Sequence, residues 1–322
     1  MILFGKQNVI IKNMYFALIQ RIKKEYNLKN PVFLKKFETR GKRKAFLIGN
    51  DKNKYVLKII PNNKELIVRL EFVSGIKEQG VNLPAIISTK SNKKYFLQLG
   101  NILFLSEFID QKENRPSRYF FSELGCVVGE FHKIKIKNSK ISGLNIKGKI
   151  KKLKKTFSKK KINIKIRKEI ISFCNSFPSI FGTTTGLVHG DISYFNVLGR
   201  KKLFLIDIDD ISRGPIIYDL GQIIAFMFNF TPFDFSRFGM KTKHILEPLF
   251  LKSGFELFLK NYSQKIKLSE KDIEILPQMA MLACAENIYL KPEGIFKWNY
   301  KRFKVIEKEK DLIVDLVKKI CS

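Results

Sequence analysis

The sequence contains no apolar run long enough to cross a membrane. A transmembrane helix needs about 20 consecutive apolar residues, whereas the longest candidate here, Leu220–Phe233, is closed by Asp219 and Asp234. The first residues interleave lysine with apolar side chains and contain no cleavage site of small residues, which argues against a secretory signal. We therefore expect a cytoplasmic protein without a membrane span.

Cysteine is scarce, and its spacing excludes two kinds of cysteine-dependent structure. The chain has four cysteines, far apart and with no C-x-x-C pair: Cys126, Cys174, Cys284 and Cys321. This excludes a zinc site built from cysteine pairs and a disulfide framework. We expect reduced thiols, most of them buried.

Acidic residues are also few, 29 against 61 lysines and arginines, which gives a formal net charge of +32. Half of this excess lies in the basic stretch Lys133–Lys168, which has sixteen basic residues and no acid. Such a stretch attracts polyanions, but lysine outnumbers arginine 50 to 11 along the whole chain, which indicates a compositional bias. The stretch also lacks interleaved aromatic residues that could stack on bases. We expect no specific nucleic-acid partner, and a solvated surface with Ile162, Ile164 and Ile166 turned towards the protein.

The sequence divides into two parts with different patterns of apolar residues. The first part, residues 1–109, alternates apolar and polar residues and predicts a small antiparallel sheet of five strands with one helix. The polar segment Asp110–Ser117 (DQKENRPS) predicts a hinge, and residues 110–322 predict a larger, mainly helical domain. The predicted strands are Val32–Phe37, Lys44–Ile48, Lys54–Ile60, Lys94–Leu99 and Ile102–Ile109, and the predicted helix is Lys64–Gln79.

The segment GLVHGDISYFNVLGRKKLFLIDIDD, residues 186–210, carries the chemistry. Asp191 follows a histidine and a glycine, Asn196 comes after four intervening residues, and Asp207 ends the next apolar run. Phosphoryl transfer needs one carboxylate to accept the proton of the acceptor hydroxyl, with a carboxamide and a second carboxylate to hold Mg²⁺. We assign Asp191 to the first role and Asn196 and Asp207 to the second.

The alternative is that these residues only form turns, since Gly-Asp and Asn are common there. A simple turn does not explain why two separate apolar strands each lead into an aspartate at this spacing. The pattern therefore favours a catalytic site.

The pattern resembles that of the aminoglycoside phosphotransferase and choline kinase superfamily. The shared motifs are H-G-D-x-x-x-x-N, then I-D-I-D at residues 206–209, then Y-D-L-G at residues 218–221. The resemblance implies an α+β, protein-kinase-like fold with two lobes, ATP and Mg²⁺ as cofactors, and a small-molecule hydroxyl acceptor. It also implies that His189, Asp209 and Asp219 support the site, and that His132 is a packing residue in the helix that precedes the basic stretch.

In the first part we expect the nucleotide contacts. Lys58, in a predicted strand, would position phosphates and be held by Glu71, with Glu65 as the alternative. The loop around Gly41 would cover the phosphates, although it has one glycine instead of three. Glu107 and Phe108 would bind adenine through their backbone groups.

Motifs that the sequence lacks narrow the class of acceptor substrate. No arginine lies between His189 and Asp191. Asp219 comes only twelve positions after Asp207, which leaves too few residues for the peptide-docking segment of a protein kinase. A small-molecule acceptor is favoured over a protein. The stretch Arg69–Gly80, continuing to Phe96, further resembles the CotS spore-coat kinase-like proteins, which implies spore-coat partners and a spore-coat location. A structural coat protein that keeps the fold without catalysis is the alternative function.

Overall fold

The computed structural model describes residues 16–39, 42–50, 52–109, 116–136, 141–159, 162–199, 202–238, 247–289 and 293–321. The chain divides into two compact units, Met1–Asp110 and Gln111–Ser322. Residues 110–115 of the predicted hinge lie outside the described ranges. Within those ranges, no helix combines the length and the apolarity needed to cross a membrane.

The described residues of the first unit form an antiparallel sheet and two helices. Five of the strands lie where the alternation predicted them, and a two-residue strand and a helix over residues 16–26 (α1) are additional. The order across the sheet is β1-β2-β3-β6-β4, with β5 also paired to β6. The elements are β1 (Val32–Phe37), β2 (Lys44–Gly49), β3 (Lys54–Pro61), α2 (Lys64–Glu78), β4 (Ile86–Ile87), β5 (Phe96–Gln98) and β6 (Asn101–Glu107).

One face of this sheet forms an apolar core with α1. Leu18 and Ile22 of the helix pack with Phe46, Leu57 and Leu105 of the strands. Because successive side chains of a strand point to opposite faces, the neighbour of Leu57 on β3 is turned away from this core. The core thus fixes the face of the sheet on which Lys58 of β3 lies.

The second unit is mainly helical, and the strands among its described residues form three short antiparallel pairs. The pairs are β7 (Thr185–Val188) with β10 (Ser212–Pro215), β8 (Val197–Leu198) with β9 (Phe204–Leu205), and β11 (Asn229–Phe230) with β12 (Leu249–Phe250). The helices are α3 (Arg118–Lys133), α4 (Ile146–Lys159), α5 (Ile164–Asn175), α6 (Ile217–Ile223), α7 (Pro232–Arg237), α8 (Lys252–Tyr262), α9 (Glu270–Tyr289), α10 (Glu293–Lys308) and α11 (Lys310–Cys321).

Within the basic stretch, α4 is amphipathic. It buries Ile146, Leu153 and Phe157 and leaves most of its lysines exposed. The prediction that Ile164 faces the protein is wrong, since it is 59% exposed and α5 buries Ile170 and Cys174 instead. Isoleucines two positions apart point to different sides of a helix, so a period of two cannot form one buried face.

The four cysteines are unpaired, and three of them are buried. Burial raises the pKa of the Cys284 thiol to about 12, which keeps it protonated and unreactive. The expectation of reduced, mostly buried thiols is confirmed.

A glycine allows α6 to approach α9 closely. A Cβ atom built on Gly221 would lie 2.7 Å from the carbonyl carbon of Met279 and 2.9 Å from the backbone nitrogen of Ala280. These are backbone atoms, so a side chain at this position would have to push the two helices apart. Gly221 therefore sets the position of α6 against α9.

We expect Gly221→Ala to lower the free energy of unfolding by about 1–3 kcal/mol, the usual cost of overpacking. Gly75→Ala is the matched control, because it lies in α2 and a Cβ there meets nothing within 4 Å. The control should gain about 0.5–1 kcal/mol from helix propensity. Urea denaturation measures both, and a stabilised Gly221→Ala variant would show that α6 is not held this closely.

Candidate active site

The chain turns sharply after β7, at the segment that the sequence marks as catalytic. Gly190 has a φ of +86°, a conformation that favours glycine. A Cβ atom on this residue would also lie 3.4 Å from the carbonyl oxygen of Asp210. The turn thus brings Asp191 out of the strand and leaves it exposed.

A buried carboxylate holds this turn in place. Asp219, on α6, is fully buried and accepts hydrogen bonds from the backbone amides of His189 at 2.7 Å and Gly190 at 2.9 Å. Two amides aimed at one carboxylate stabilise its charge. Asp219 thus binds the backbone of the two residues that precede Asp191.

A glutamine one helical turn further along α6 supports the same loop. The Gln222 side chain donates to the carbonyl oxygen of Gly190 at 2.7 Å and accepts from the amide of Ile192 at 3.0 Å. Gln222 is not among the site residues predicted from the sequence. Its spacing from Asp219, three positions on one helix, was an available signal, since such residues share a helix face.

His132 is more than the packing residue that the resemblance implied. Its Nε2 lies 3.1 Å from the Asp219 carboxylate, and its Nδ1 lies 2.9 Å from the Tyr262 hydroxyl. Burial raises the pKa of Tyr262 well above its ordinary value, so the hydroxyl keeps its proton. The helix α3 thereby contributes a third hydrogen bond to the carboxylate that holds the loop.

His189 ties the loop to the second apolar strand. Its Nε2 lies 2.9 Å from the carbonyl oxygen of Ile206, which can only accept, so Nε2 carries the hydrogen. Its Nδ1 then accepts from the amide of Asp191 at 3.3 Å. The ring is fully buried, which fits a structural role.

Asn196, a predicted metal ligand, contacts the predicted general base. Its Nδ2 donates to the carbonyl oxygen of Asp191 at 2.8 Å and to its carboxylate Oδ2 at 3.0 Å. Both partners can only accept, so the amide nitrogen must face them and Oδ1 must face away. That oxygen makes no hydrogen bond to the part of the chain that the structure describes.

Backbone pairing of the preceding residue links Asp207 to Asn196. The amide of Ile206 donates to the carbonyl oxygen of Asn196 at 2.9 Å, in continuation of the β8–β9 pair. Asp207 itself has a φ of +65°, which is rare for residues other than glycine. Strained backbone of this kind is common at functional sites. Asp209 is buried in the short 3₁₀ helix that follows.

The donor set fits a magnesium ion that also has phosphate ligands. A carboxylate on Asp207 and a carboxamide oxygen on Asn196 are the oxygen donors that Mg²⁺ prefers. Among the described residues no group of three or more His, Cys, Asp or Glu side chains could hold a metal by itself. A cation here would therefore need further oxygens, and these are what a nucleotide supplies.

In the first unit, Lys58 lies on the sheet face opposite the α1 core. Its register partners are Ala45 and Phe104, and its Nζ lies 5.9 Å from the Phe104 ring centroid. The structure does not bring Glu71 to Lys58. Within the described residues the Glu71 carboxylate is exposed and forms no ion pair, because α2 buries Leu66, Leu70 and Val73 instead. The alternative, Glu65, pairs with Arg69 at 3.1 Å.

Glu107 has structural contacts of its own. Its amide donates to the carbonyl oxygen of Ala85 at 2.8 Å, and its carboxylate accepts from Lys77 at 2.7 Å and from the Ala85 amide at 3.1 Å. Burial acts to raise the pKa of Glu107, but the Lys77 and Ala85 hydrogen bonds outweigh it and lower the pKa. Phe108 follows the end of β6 and is half-buried. Gly41 lies outside the described residues.

Solved structures similar to this chain include small-molecule kinases. An amicoumacin kinase in complex with AMP-PNP, Ca²⁺ and Ami superimposes with a TM-score of 0.66 at 14% identity, over 94% of this chain and 96% of that one. A microcompartment-associated aminopropanol kinase gives 0.61 at 12%, over 93% and 98%. A choline kinase from Cryptosporidium parvum Iowa II gives 0.64 at 12%, over 93% and 96%.

These likenesses establish the fold. The α+β, protein-kinase-like fold predicted from the sequence is confirmed. No protein-family model matches the sequence, and no curated protein sequence matches it either. At these identities the function has to be argued from the site.

We expect Asp219→Asn to lower the free energy of unfolding by about 1–3 kcal/mol, because an amide group would face buried donors in place of a carboxylate oxygen. Asp315→Asn on α11 removes the same charge at an exposed position and should change stability little. Urea denaturation of both variants decides the matter. Equal stability would mean that the carboxylate does not hold the loop.

Proposed function

We propose that this protein is an ATP- and Mg²⁺-dependent phosphotransferase that transfers the γ-phosphate to a hydroxyl group of a small molecule. The supporting observation is the Asn196 side chain, which binds the Asp191 carboxylate with its nitrogen and leaves its oxygen for a metal. One residue thus couples a general base to a metal ligand. Such a coupling serves phosphoryl transfer, where the acceptor hydroxyl and the metal-bound phosphate must meet.

Asp191 acts as the base in this proposal. Its carboxylate is exposed and is held by Asn196 on one oxygen, Oδ2. Asp191 orients the acceptor hydroxyl and accepts its proton while the hydroxyl oxygen bonds to the γ-phosphorus and ADP leaves. His189, Asp219 and Gln222 keep the backbone of Asp191 in place through the contacts described above.

Asn196 and Asp207 hold the metal, which neutralises the charge of the phosphates when bound. Lys58 contributes a further cation to the phosphates, as strand lysines do in kinases. The amide of Glu107 is committed to Ala85, so adenine recognition falls to the Glu107 carbonyl and the Phe108 backbone. Gly41 covers the phosphates in this proposal.

The acceptor is small in this proposal because the segment after Asp207 is short and is occupied by secondary structure. It runs through the 3₁₀ helix Ile208–Asp210 and β10, which pairs with β7, directly into α6. No residues remain there to form a peptide-docking loop. The choline and aminopropanol kinases among the structural neighbours are named for small alcohols.

A second candidate function comes from the narrower resemblance to the CotS proteins. In that case the chain is a spore-coat protein with coat proteins as partners, and the kinase-like fold has a structural role without catalysis. The joint presence of Asp191, Asn196, Asp207 and Lys58 weighs against it, because a structural protein has no need of that set. Magnesium-dependent binding of ATP separates the two functions.

We expect Asp191→Asn to lower ATP turnover by about 10²-fold or more while ATP affinity stays nearly unchanged, the scale for loss of a general base. The assay follows ADP release with and without an acceptor, and calorimetry follows ATP binding. Asp315→Asn serves again as the control for a lost carboxylate. Wild-type turnover in Asp191→Asn would remove Asp191 from the mechanism.

We expect Asp207→Ala to abolish the magnesium dependence of ATP binding, because Asn196 alone is a weak ligand for Mg²⁺. Calorimetric titrations of ATP with and without Mg²⁺ measure this for the wild type and the variant. If the variant still binds ATP more tightly with Mg²⁺ than without it, the metal is held elsewhere.

A further inference from the structure

A polar network is connected to residues 189–196, which we call the catalytic loop, and forms none of the hydrogen bonds to this loop described above. Lys149 of α4 donates to the Tyr218 hydroxyl at 2.9 Å and to Oε1 of Glu286 on α9 at 3.0 Å. The Tyr218 hydroxyl donates to Oε2 of the same glutamate at 2.8 Å. Three helices, α4, α6 and α9, therefore meet at three side chains that are mutually hydrogen-bonded. We call them the Lys149–Tyr218–Glu286 network.

The network is connected through α6 to the loop that carries the proposed base. Tyr218 immediately precedes Asp219, whose carboxylate holds the amides of the two residues before Asp191. Burial raises the pKa of Tyr218 well above its ordinary value, and the charges of Glu286, Asp219 and Asp191 add to this. Tyr218 is thus one residue away from the carboxylate that holds the loop of Asp191.

The accessible part of the network is its ion pair. Tyr218 is 2% exposed, whereas the side chains of Lys149 and Glu286 are 33% and 18% exposed. The Lys149 amine also lies 4.9 Å from the centre of the Tyr218 ring. Tyr218 is therefore buried, while the ammonium group of Lys149 and the carboxylate of Glu286 are partly exposed.

We propose that Lys149 and Glu286 bind the acceptor, and that this acceptor is an uncharged molecule with adjacent hydroxyl groups, such as a sugar or a cyclitol. This rests on the proposed function. An ammonium group has three donors, two of which serve Tyr218 and Glu286. The third can donate to one hydroxyl of a vicinal diol while the neighbouring hydroxyl donates to the Glu286 carboxylate.

The ion pair also disfavours charged acceptors. A cationic acceptor would have to displace the Lys149 ammonium from Glu286, although that ammonium is covalently attached and already in place. An anionic acceptor would meet Glu286, which is held next to Lys149 by the Tyr218 hydroxyl. A neutral diol uses both charges and leaves the pair intact.

The experiment measures ADP release by the full-length protein with Mg²⁺-ATP and named probes. The diol probes are myo-inositol and methyl α-D-glucopyranoside, and the cationic probes are choline and ethanolamine. ATP binding and slow Asp191-dependent hydrolysis without any probe test the proposed function first. We expect at least one diol to raise the rate at least about tenfold, and the cationic probes to leave it near the basal value.

Variants then assign this preference to the network. We expect Lys149→Met and Glu286→Gln to raise KM for the diol at least about tenfold, with a smaller change in kcat, as for loss of hydrogen bonds to charged groups. Lys149→Met should also gain turnover with choline, because its Glu286 carboxylate no longer has an ammonium partner. The control is Lys151→Met, which removes the same charge from an exposed position of the same helix.

Three results would overturn the inference. The first is ATP hydrolysis that depends on Asp191 but is not accelerated by either diol, and the second is a wild-type preference for the cationic probes. The third is an equal effect of Lys149→Met and Lys151→Met in folded protein, with folding checked by thermal melting. Absence of Mg²⁺-ATP binding would instead overturn the proposed function, and this inference with it.

Discussion

The site depends on one buried charge, the Asp219 carboxylate. Removing a carboxylate from water is costly unless hydrogen bonds replace the lost solvation. Here two backbone amides of the loop and the His132 ring provide them. The loop conformation and the burial of the charge therefore stabilise each other, and neither is favourable alone. Gln222 adds two further hydrogen bonds to the same loop from the same helix. The direction in which Asp191 leaves β7 follows from these contacts.

Asn196 makes the two sides of the proposed chemistry interdependent. Its amide nitrogen binds Asp191, so its oxygen can point to only one place. If a metal moved that oxygen, the carboxylate of the base would move with it. Residues connected in this way show non-additive effects when they are changed together. The arrangement also explains why a short loop suffices, since one side chain positions a base and a ligand at once.

Local features of this protein could be predicted from the sequence, and long-range partners could not. Strand β1 has the predicted bounds because a short run rich in apolar residues between polar turn segments is a local signal. The pairing of His132 with Asp219 spans 87 positions in the chain, and no local pattern encodes it. The pairing of Lys58 with Glu71 was guessed from order along the chain, but the apolar face of α2 turns Glu71 to solvent. The geometry of the base and metal residues required the structure, because backbone pairing of β8 and β9 brings them together.

The close contact at Gly221 has a consequence for how such a protein can diversify. The helix α9 supports α6, and with it the catalytic loop, and the same helix carries Glu286. A shift of α9 that reshaped the Lys149–Tyr218–Glu286 network would also displace Asp219. Helix α4 carries Lys149 and none of the loop contacts described above. Exchanges along α4 can therefore alter what sits next to Glu286 at little risk to the loop, so we expect evolutionary change of specificity to concentrate on α4 while α6 and α9 stay fixed.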